Sequence, residues 1–242
     1  MHTLSERWFS PALDQDMSLN IYGHGGQPIL ILPAQEGNHR EYEGFGMVDA
    51  VIPFIEMGRI QLYCVDSVDA QSWCNNAIPV RDRARRHVQY ERYLIDEVVP
   101  MMGGRPWVSG CSMGGYQSAN FYFRHPDVAS GLIALSGVYD LTLFIGDAMD
   151  EDVFLQVPLA YLPGLNDDWY LSRYRQGRIV ICVGQGAWEE PMLTHTRQMR
   201  HILEAKGIPA WVDIWGHDVN HDWPWWRVMM PFFVEKLLAS SG

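Results

Sequence analysis

An α/β fold with a mostly parallel central sheet and helices on both faces is predicted by three features of the sequence. Short apolar runs recur at Pro28–Leu32, Ile60–Val65, Leu132–Leu135 and Arg178–Val183. Runs of that length without polar alternation suit strands buried on both faces, as in a parallel sheet. Segments of helical spacing separate them, so strand and helix alternate from Pro28 onward. Finally, the apolar run Trp107-Val108-Ser109 passes through Gly110-Cys111-Ser112-Met113-Gly114 directly into a helix-like segment, Tyr116 to Arg124. That is a sharp strand-to-helix turn around a serine.

The elements follow in order. Arg7–Ser10 and Met17–Tyr22 read as two short strands joined by a polar turn, an antiparallel edge at the start of the sheet. Pro28–Leu32 is the first buried strand, and the polar loop Pro33–Arg40 follows it. Gly44–Gly58 carries a helical pattern in Met47, Val48, Val51, Phe54 and Ile55. Ile60–Val65 is the next strand. Arg81–Met102 reads as one long helix, and its basic start (Arg81, Arg83, Arg85, Arg86) reads as a solvated face before it reads as a guide for an anionic substrate. Tyr139–Gly177 is the longest stretch without a regular pattern, rich in acids and aromatics. Such segments are lids or binding loops, or else form a helical insertion that only covers the sheet edge. Arg178–Val183 is a strand, Thr194–Lys206 a helix stopped by Gly207, and Ala210–Ile214 the last strand. Asp222 is placed to cap a final helix that has Pro224 near its first position and runs to about Leu238. No repeat, low-complexity tract or linker divides the 242 residues, so a single domain is expected over 1–242, with a lid or insertion at 139–177.

Composition narrows the function. Hydrophobic residues make up 48% and charged residues 19%, a globular balance. A net charge of −11 repels phosphate backbones and argues against nucleic-acid binding. No apolar run approaches the roughly 18 residues of a membrane span, so no membrane association is expected. The first residues lack the basic start and apolar core of a signal peptide. Together with four cysteines in no Cys-x-x-Cys spacing, that predicts reduced thiols and a cytoplasmic protein. Histidines and cysteines show no metal-ligand spacing, so neither metal nor cofactor is expected. The oligomeric state stays open, a homo-oligomer included.

Right-handed crossovers bring every strand-to-helix loop to one rim of a parallel sheet. The loops at Ala34, Ser112, Glu189 and His221 therefore converge. A serine hydroxyl needs a base within hydrogen-bond reach, and the base needs an acid to hold its tautomer. Gly110 and Gly114 leave room for the tight turn that projects Ser112, and Gly115 lets the following helix approach the sheet. His221, immediately before a helix cap, is the preferred base over His217. For the acid, Glu189 comes first and Glu190 second, with Asp218 still open. An oxyanion site combines the amide after the nucleophile, Met113, with one from the loop after the first buried strand, taken as Gln35 within Ala34–Glu36. Ten tryptophans, among them Trp188, Trp223, Trp225 and Trp226, read as core and rim packing before pocket lining.

On these residues the chain resembles the putative-esterase (esterase D, S-formylglutathione hydrolase-like) branch of the α/β-hydrolases. The resemblance is carried by Gly110-Cys111-Ser112-Met113-Gly114-Gly115 and His221-Asp222-Trp223. Leu32-Pro33-Ala34-Gln35 lies where that family's oxyanion loop begins, and Tyr90–Leu94 with Glu97–Pro100 and Arg124-His125-Pro126 are similar to its neighbouring segments. Pro33-Ala34 departs from the Asp-Gly or His-Gly pair common there. The resemblance implies an α/β-hydrolase fold and the order serine, acid, histidine. It implies a serine carboxylesterase that hydrolyses a small or medium ester through an acyl-enzyme on Ser112. An acyltransferase using the same residues is the alternative, and a non-catalytic binding protein on a hydrolase scaffold the alternative of another class.

Overall fold

The computed structural model describes residues 1–239. The chain runs β1 (Thr3–Ser10), β2 (Gln15–Tyr22), β3 (Gln27–Leu32), α1 (Glu41–Gly44), α2 (Met47–Glu56), β4 (Ile60–Val65), α3 (Val80–Tyr93), β5 (Trp107–Cys111), α4 (Met113–Arg124) and β6 (Gly131–Leu135). It continues through α5 (Thr142–Ile145), α6 (Glu151–Phe154), α7 (Pro158–Tyr161), α8 (Asp168–Gln176), β7 (Arg178–Val183), α9 (Glu190–Ala205), β8 (Trp211–Ile214) and α10 (Trp223–Ala239). The strands form one eight-stranded sheet in the order β1-β2-β4-β3-β5-β6-β7-β8. β1 and β2 pair antiparallel, β2 joins β4 antiparallel, and the six strands β3 to β8 run parallel.

Alternation along each parallel strand divides the core into two layers. Leu30, Leu32, Val108, Leu132, Ala134, Ile179 and Ile181 face one way and pack against α3, α4, α8 and α9. Ile29, Ile31, Trp107, Ile133, Val180 and Cys182 face the other way and pack against α2 and α10. Both faces are covered, which explains why these strands read as uninterrupted apolar runs. From β3 the chain moves outward to β4, then crosses back to β5 on the other side of β3. The loops after β3 and β5 therefore part at the point where the strand order reverses, the place where open parallel sheets form a crevice. No helix among the described residues is long and apolar enough to cross a membrane.

Two expectations need correction. The stretch 139–177 is not irregular: it contains α5, α6, α7 and α8. The first three have four residues each, too short for an amphipathic period to register. Ile145, Val153 and Val157 pack on Met113 and Tyr116 beside the serine turn. The Tyr116 hydroxyl donates to Gln156 O at 2.9 Å, and Asn120 Nδ2 to Gln156 Oε1 at 2.9 Å, fastening the segment to α4.

The basic start of α3 is not one solvated face either. Arg81 and Arg85 are exposed and reach Asp152 at 2.8 and 3.3 Å. Arg83 is buried, donating to the carbonyls of Ile78 and Phe144 and to Asn76 Oδ1. Arg86 donates to Leu13 O and to Gln15 and Gln71. Their long side chains tie α3 to the β1–β2 turn, the β4–α3 connection, α5 and α6, a role that charge alone does not reveal. The predicted long helix does extend from Val80 to Met102, but a wide turn at Leu94–Val98 and a tight one at Val99–Met102 replace the regular spiral. Pro100, which lacks an amide hydrogen, sits in that last turn.

Candidate active site

Ser112 links β5 to α4 with φ 56° and ψ −117°. For a side chain with a Cβ this backbone is strained by about 1–3 kcal/mol. The surrounding glycines make the turn sterically feasible. A Cβ on Gly110 would lie 2.5 Å from Gly114 C and 2.6 Å from Leu32 O, and one on Gly114 would lie 2.2 Å from Leu32 O. A Cβ on Gly115 would lie 2.9 Å from Gly137 Cα, so α4 can sit against the strand ends only without it. The Ser112 amide donates to Leu135 O at 2.9 Å, pinning the turn to the end of β6.

The structure brings Ser112, His221 and Glu189 into one chain of contacts. His221 Nε2 lies 2.9 Å from Ser112 Oγ, and His221 Nδ1 lies 3.1 Å from Glu189 Oε2. Two loops are laced together to hold this arrangement. The His221 amide donates to Ala187 O, the Ala187 amide to Asn220 Oδ1, and the Gly186 amide to Val219 O. Asp222 follows at the head of α10, its carboxylate accepting from the Trp223 amide at 2.7 Å. A loop residue next to a fixed helix start has little freedom, which is why His221 can be held on both nitrogens.

Glu189 is completely buried, while Glu190, the first residue of α9, is exposed. Adjacency sends the two side chains in different directions, and only Glu189 contacts His221. His217 and Asp218 are exposed in the loop after β8. Three donors converge on the Glu189 carboxylate: His221 on Oε2, and the Ser136 hydroxyl (2.6 Å) and the Gly184 amide (3.2 Å) on Oε1. Ser136 Oγ in turn accepts from Trp226 Nε1 at 3.0 Å. The Trp226 ring stands edge-on to the His221 imidazole, 5.0 Å between centroids at 87°.

Sequence reasoning did not find Ser136 and Trp226. Ser136 ends a buried strand on the same rim as Ser112 and has φ 50°, but no motif marks it. Trp226 was one aromatic among many. Trp188 differs from its neighbours: it lies between the two residues that touch His221, has φ 69°, and is 83% exposed.

The Met113 and Gln35 amides have no acceptor among the described residues. Met113 is the first residue of α4, where an amide has no partner within the helix and the helix dipole adds positive potential. Gln35 lies in the loop after β3. A serine hydroxyl, a doubly held imidazole, a buried carboxylate and two open amides at one rim can deliver a nucleophile and receive a developing negative charge.

No protein-family model matches the chain, and no curated protein matches it by sequence. Solved structures do. A ferulic acid esterase superposes with a TM-score of 0.77 at 15% identity, covering 100% of this chain and 98% of its own. An S-formylglutathione hydrolase from Agrobacterium tumefaciens superposes with a TM-score of 0.73 at 13% identity, covering 99% and 95%. The fluorophosphonate-binding serine hydrolase FphF of Staphylococcus aureus gives 0.69 at 16% identity, covering 98% of each chain. With its parallel sheet, reversed strand order and covered faces, the chain has the α/β-hydrolase fold.

Proposed function

We propose that the protein is a serine esterase acting on small or medium carboxylic esters. The observation that carries the reading is the continuous contact from Ser112 Oγ through His221 to Glu189 on a strained turn, with the amides of Met113 and Gln35 both unengaged. His221 Nε2 takes the hydroxyl proton as Ser112 Oγ attacks the ester carbonyl. Glu189, held by Ser136 and Gly184, fixes the Nδ1–H tautomer and stabilises the imidazolium. The Met113 and Gln35 amides hold the tetrahedral oxyanion. His221 then passes its proton to the departing alkoxide, leaving an acyl-Ser112. Water, deprotonated by the same imidazole, releases the acid and restores the hydroxyl.

The fold-level likeness to esterases supports this reading without selecting a substrate. The test is incubation with a fluorophosphonate followed by peptide mass analysis, alongside turnover of p-nitrophenyl esters of increasing acyl length. The expected result is a single adduct on Ser112, a product burst and turnover that ends on labelling. An accessible but unlabelled Ser112, with no turnover of any ester, would overturn the proposal.

A further inference from the structure

The amide of Gln35 is singled out by its neighbours. The Ala34 amide donates to Glu41 Oε2 at 2.7 Å, and the Glu36 amide to Asp69 Oδ2 at 2.7 Å. The Gly37 amide closes the turn on Ala34 O at 2.9 Å. In this run of consecutive amides Gln35 alone has no acceptor among the described residues. The loop leaves β3 directly against the start of α4, since Leu32 O and Pro33 O are the atoms that a Cβ on Gly114 would strike. The loop that carries the Gln35 amide therefore starts against the first turn of α4.

The two carboxylates come from different parts of the chain. Glu41 opens α1, and Asp69 lies in the short turn after β4. Glu36 has φ 56°, at the third position of a tight turn that favours glycine or asparagine. Its bond to Asp69 is what opposes relaxation of that residue. A Cβ on Gly37 would lie 2.3 Å from Glu41 Oε1, so the carboxyl packs directly on the loop backbone. Asp69 is 1% exposed, and its other oxygen is bonded by the Ser67 hydroxyl. Burial pushes the Glu41 carboxyl up to about 7, against the hydrogen bond from Ala34 and with the charge of Asp69 adding to the rise. Burial raises Asp69 as well, against the bonds from Ser67, Glu36, Ala70 and its own amide. Two mutually repelling acids under one loop are a costly way to hold a turn that neutral side chains would also hold. Their advantage is stiffness, because amide bonds to a charged acceptor are roughly twice as strong as neutral ones.

We propose that Glu41 and Asp69 are positioning residues that clamp the 34–37 turn and aim the Gln35 amide at the carbonyl oxygen of an ester bound to Ser112. The proposal rests on the esterase reading. Neither residue touches the substrate in this scheme, so their loss acts on kcat and leaves KM nearly unchanged.

The test combines turnover of a short p-nitrophenyl ester with peptide-level hydrogen exchange across residues 33–40, in the intact protein and in Glu41→Ala, Glu41→Gln, Asp69→Ala and Asp69→Asn. The alanine variants are expected to exchange faster across that peptide and to lose about 10- to 100-fold in kcat, less than the removal of a whole oxyanion donor. KM should stay within about twofold, and Glu41→Gln and Asp69→Asn, which keep a neutral acceptor in place of a charged one, should recover both readouts in part. If Asp69→Ala does not fold, Glu41→Ala and Asp69→Asn carry the comparison. Unchanged exchange in Glu41→Ala, or faster exchange with unchanged kcat, overturns the proposal. A wild-type protein without turnover or Ser112 labelling fails the esterase reading and, with it, the aiming of Gln35; the exchange measurement then shows separately whether the clamp exists.

Discussion

Two buried glutamates, Glu189 and Glu91, lie near opposite ends of α4, each with imidazole against it. At the N-terminal end, Glu189 meets His221, and His221 meets Ser112. Toward the C-terminal end, Glu91 of α3 faces His87 Nε2 at 3.9 Å and His125 Nε2 at 3.7 Å. Arg124 Nη1 lies 2.9 Å from Glu91, and Asn120 donates to it at 3.2 Å. Burial alone would push the Glu91 carboxyl up. The His125 and His87 imidazoles and the charge of Arg124 together outweigh burial and hold it below the usual range. A permanent guanidinium therefore neutralises Glu91 in place, and among the described residues no hydroxyl is hydrogen-bonded to its histidines. Glu189 has no such cation: His221 is its one ion-pair partner among the described residues. Its charge remains available for an imidazolium that exists only while a proton is in transit. A buried His–Glu contact is thus common to a structural knot and a candidate reaction centre. The arginine, the serine and the strained turn distinguish them.

Ser112→Ala is expected to produce the largest difference. Ester turnover should fall by about 10⁴-fold or more, fluorophosphonate labelling should vanish, and Tm should stay within a few degrees of wild type. The two glutamates should then separate cleanly. Glu189→Gln keeps the shape but disturbs the tautomer, and should lower kcat by about 10²- to 10⁴-fold with a modest change in Tm. Glu91→Gln leaves the half-buried Arg124 without its counter-charge. It should destabilise the fold by about 2–3 kcal/mol, roughly 5–10 °C in Tm, while the molecules that remain folded keep their kcat. Thermal melts and active-site titration on the same samples decide this. Equal losses of kcat per folded molecule in both variants would erase the distinction.

The pH dependence sharpens the contrast. His87 is buried between the rings of Trp73 and Tyr116, with centroids at 5.4 and 5.8 Å, and faces Glu91, Arg124 and Tyr90. Burial lowers its pKa from 6.5 to about 4, partly opposed by Glu91 and reinforced by Arg124. Between those values the unfolded chain binds a proton that the folded chain refuses. Stability is therefore full above about pH 6.5 and is lost as pH falls toward 4, by on the order of 2 kcal/mol between pH 7 and 5. His87→Gln should flatten that limb of a Tm-against-pH curve and leave the pH profile of ester turnover where it was. A matching shift in the turnover profile would mean that the far knot is coupled to the reaction centre.

What the sequence made legible follows the strength of local constraints. The inner strands β3 to β7 were readable because burial on both faces forces continuous apolar runs, whereas at the sheet edges β1 is largely exposed and β8 only partly buried. Ser112 was readable because its turn tolerates only glycine at 110 and 114, and His221 because a helix cap marks the position beside it. The choice between Glu189 and Glu190 was not readable, since both are acids at one loop end and the path of the chain around Trp188 decides which turns inward. The helices of 139–177 were too short to show a period. Glu91 and Asp69 owe their roles to partners about 30 residues away along the chain, and no spacing rule within a single segment encodes such a contact; Glu41 meets the Ala34 amide across a turn that no motif marks.

The smallest expected effect concerns the donor that Glu189 has and Glu91 lacks. Ser136 gives its hydroxyl hydrogen to Glu189 at 2.6 Å and receives that of Trp226. Ser136→Ala removes one of the donors on a buried carboxylate and orphans a buried indole N–H. If Glu189 matters mainly as a charge, activity should barely change. If it matters as a charge held at one angle to His221 Nδ1, kcat should fall by about tenfold with KM unchanged, the magnitude of one charge-assisted hydrogen bond. We expect the second outcome. Trp226→Phe, which removes only the outer donor and keeps the ring edge against His221, should fall by about threefold. A larger loss in Trp226→Phe than in Ser136→Ala would show that the indole acts on the imidazole directly rather than through Ser136.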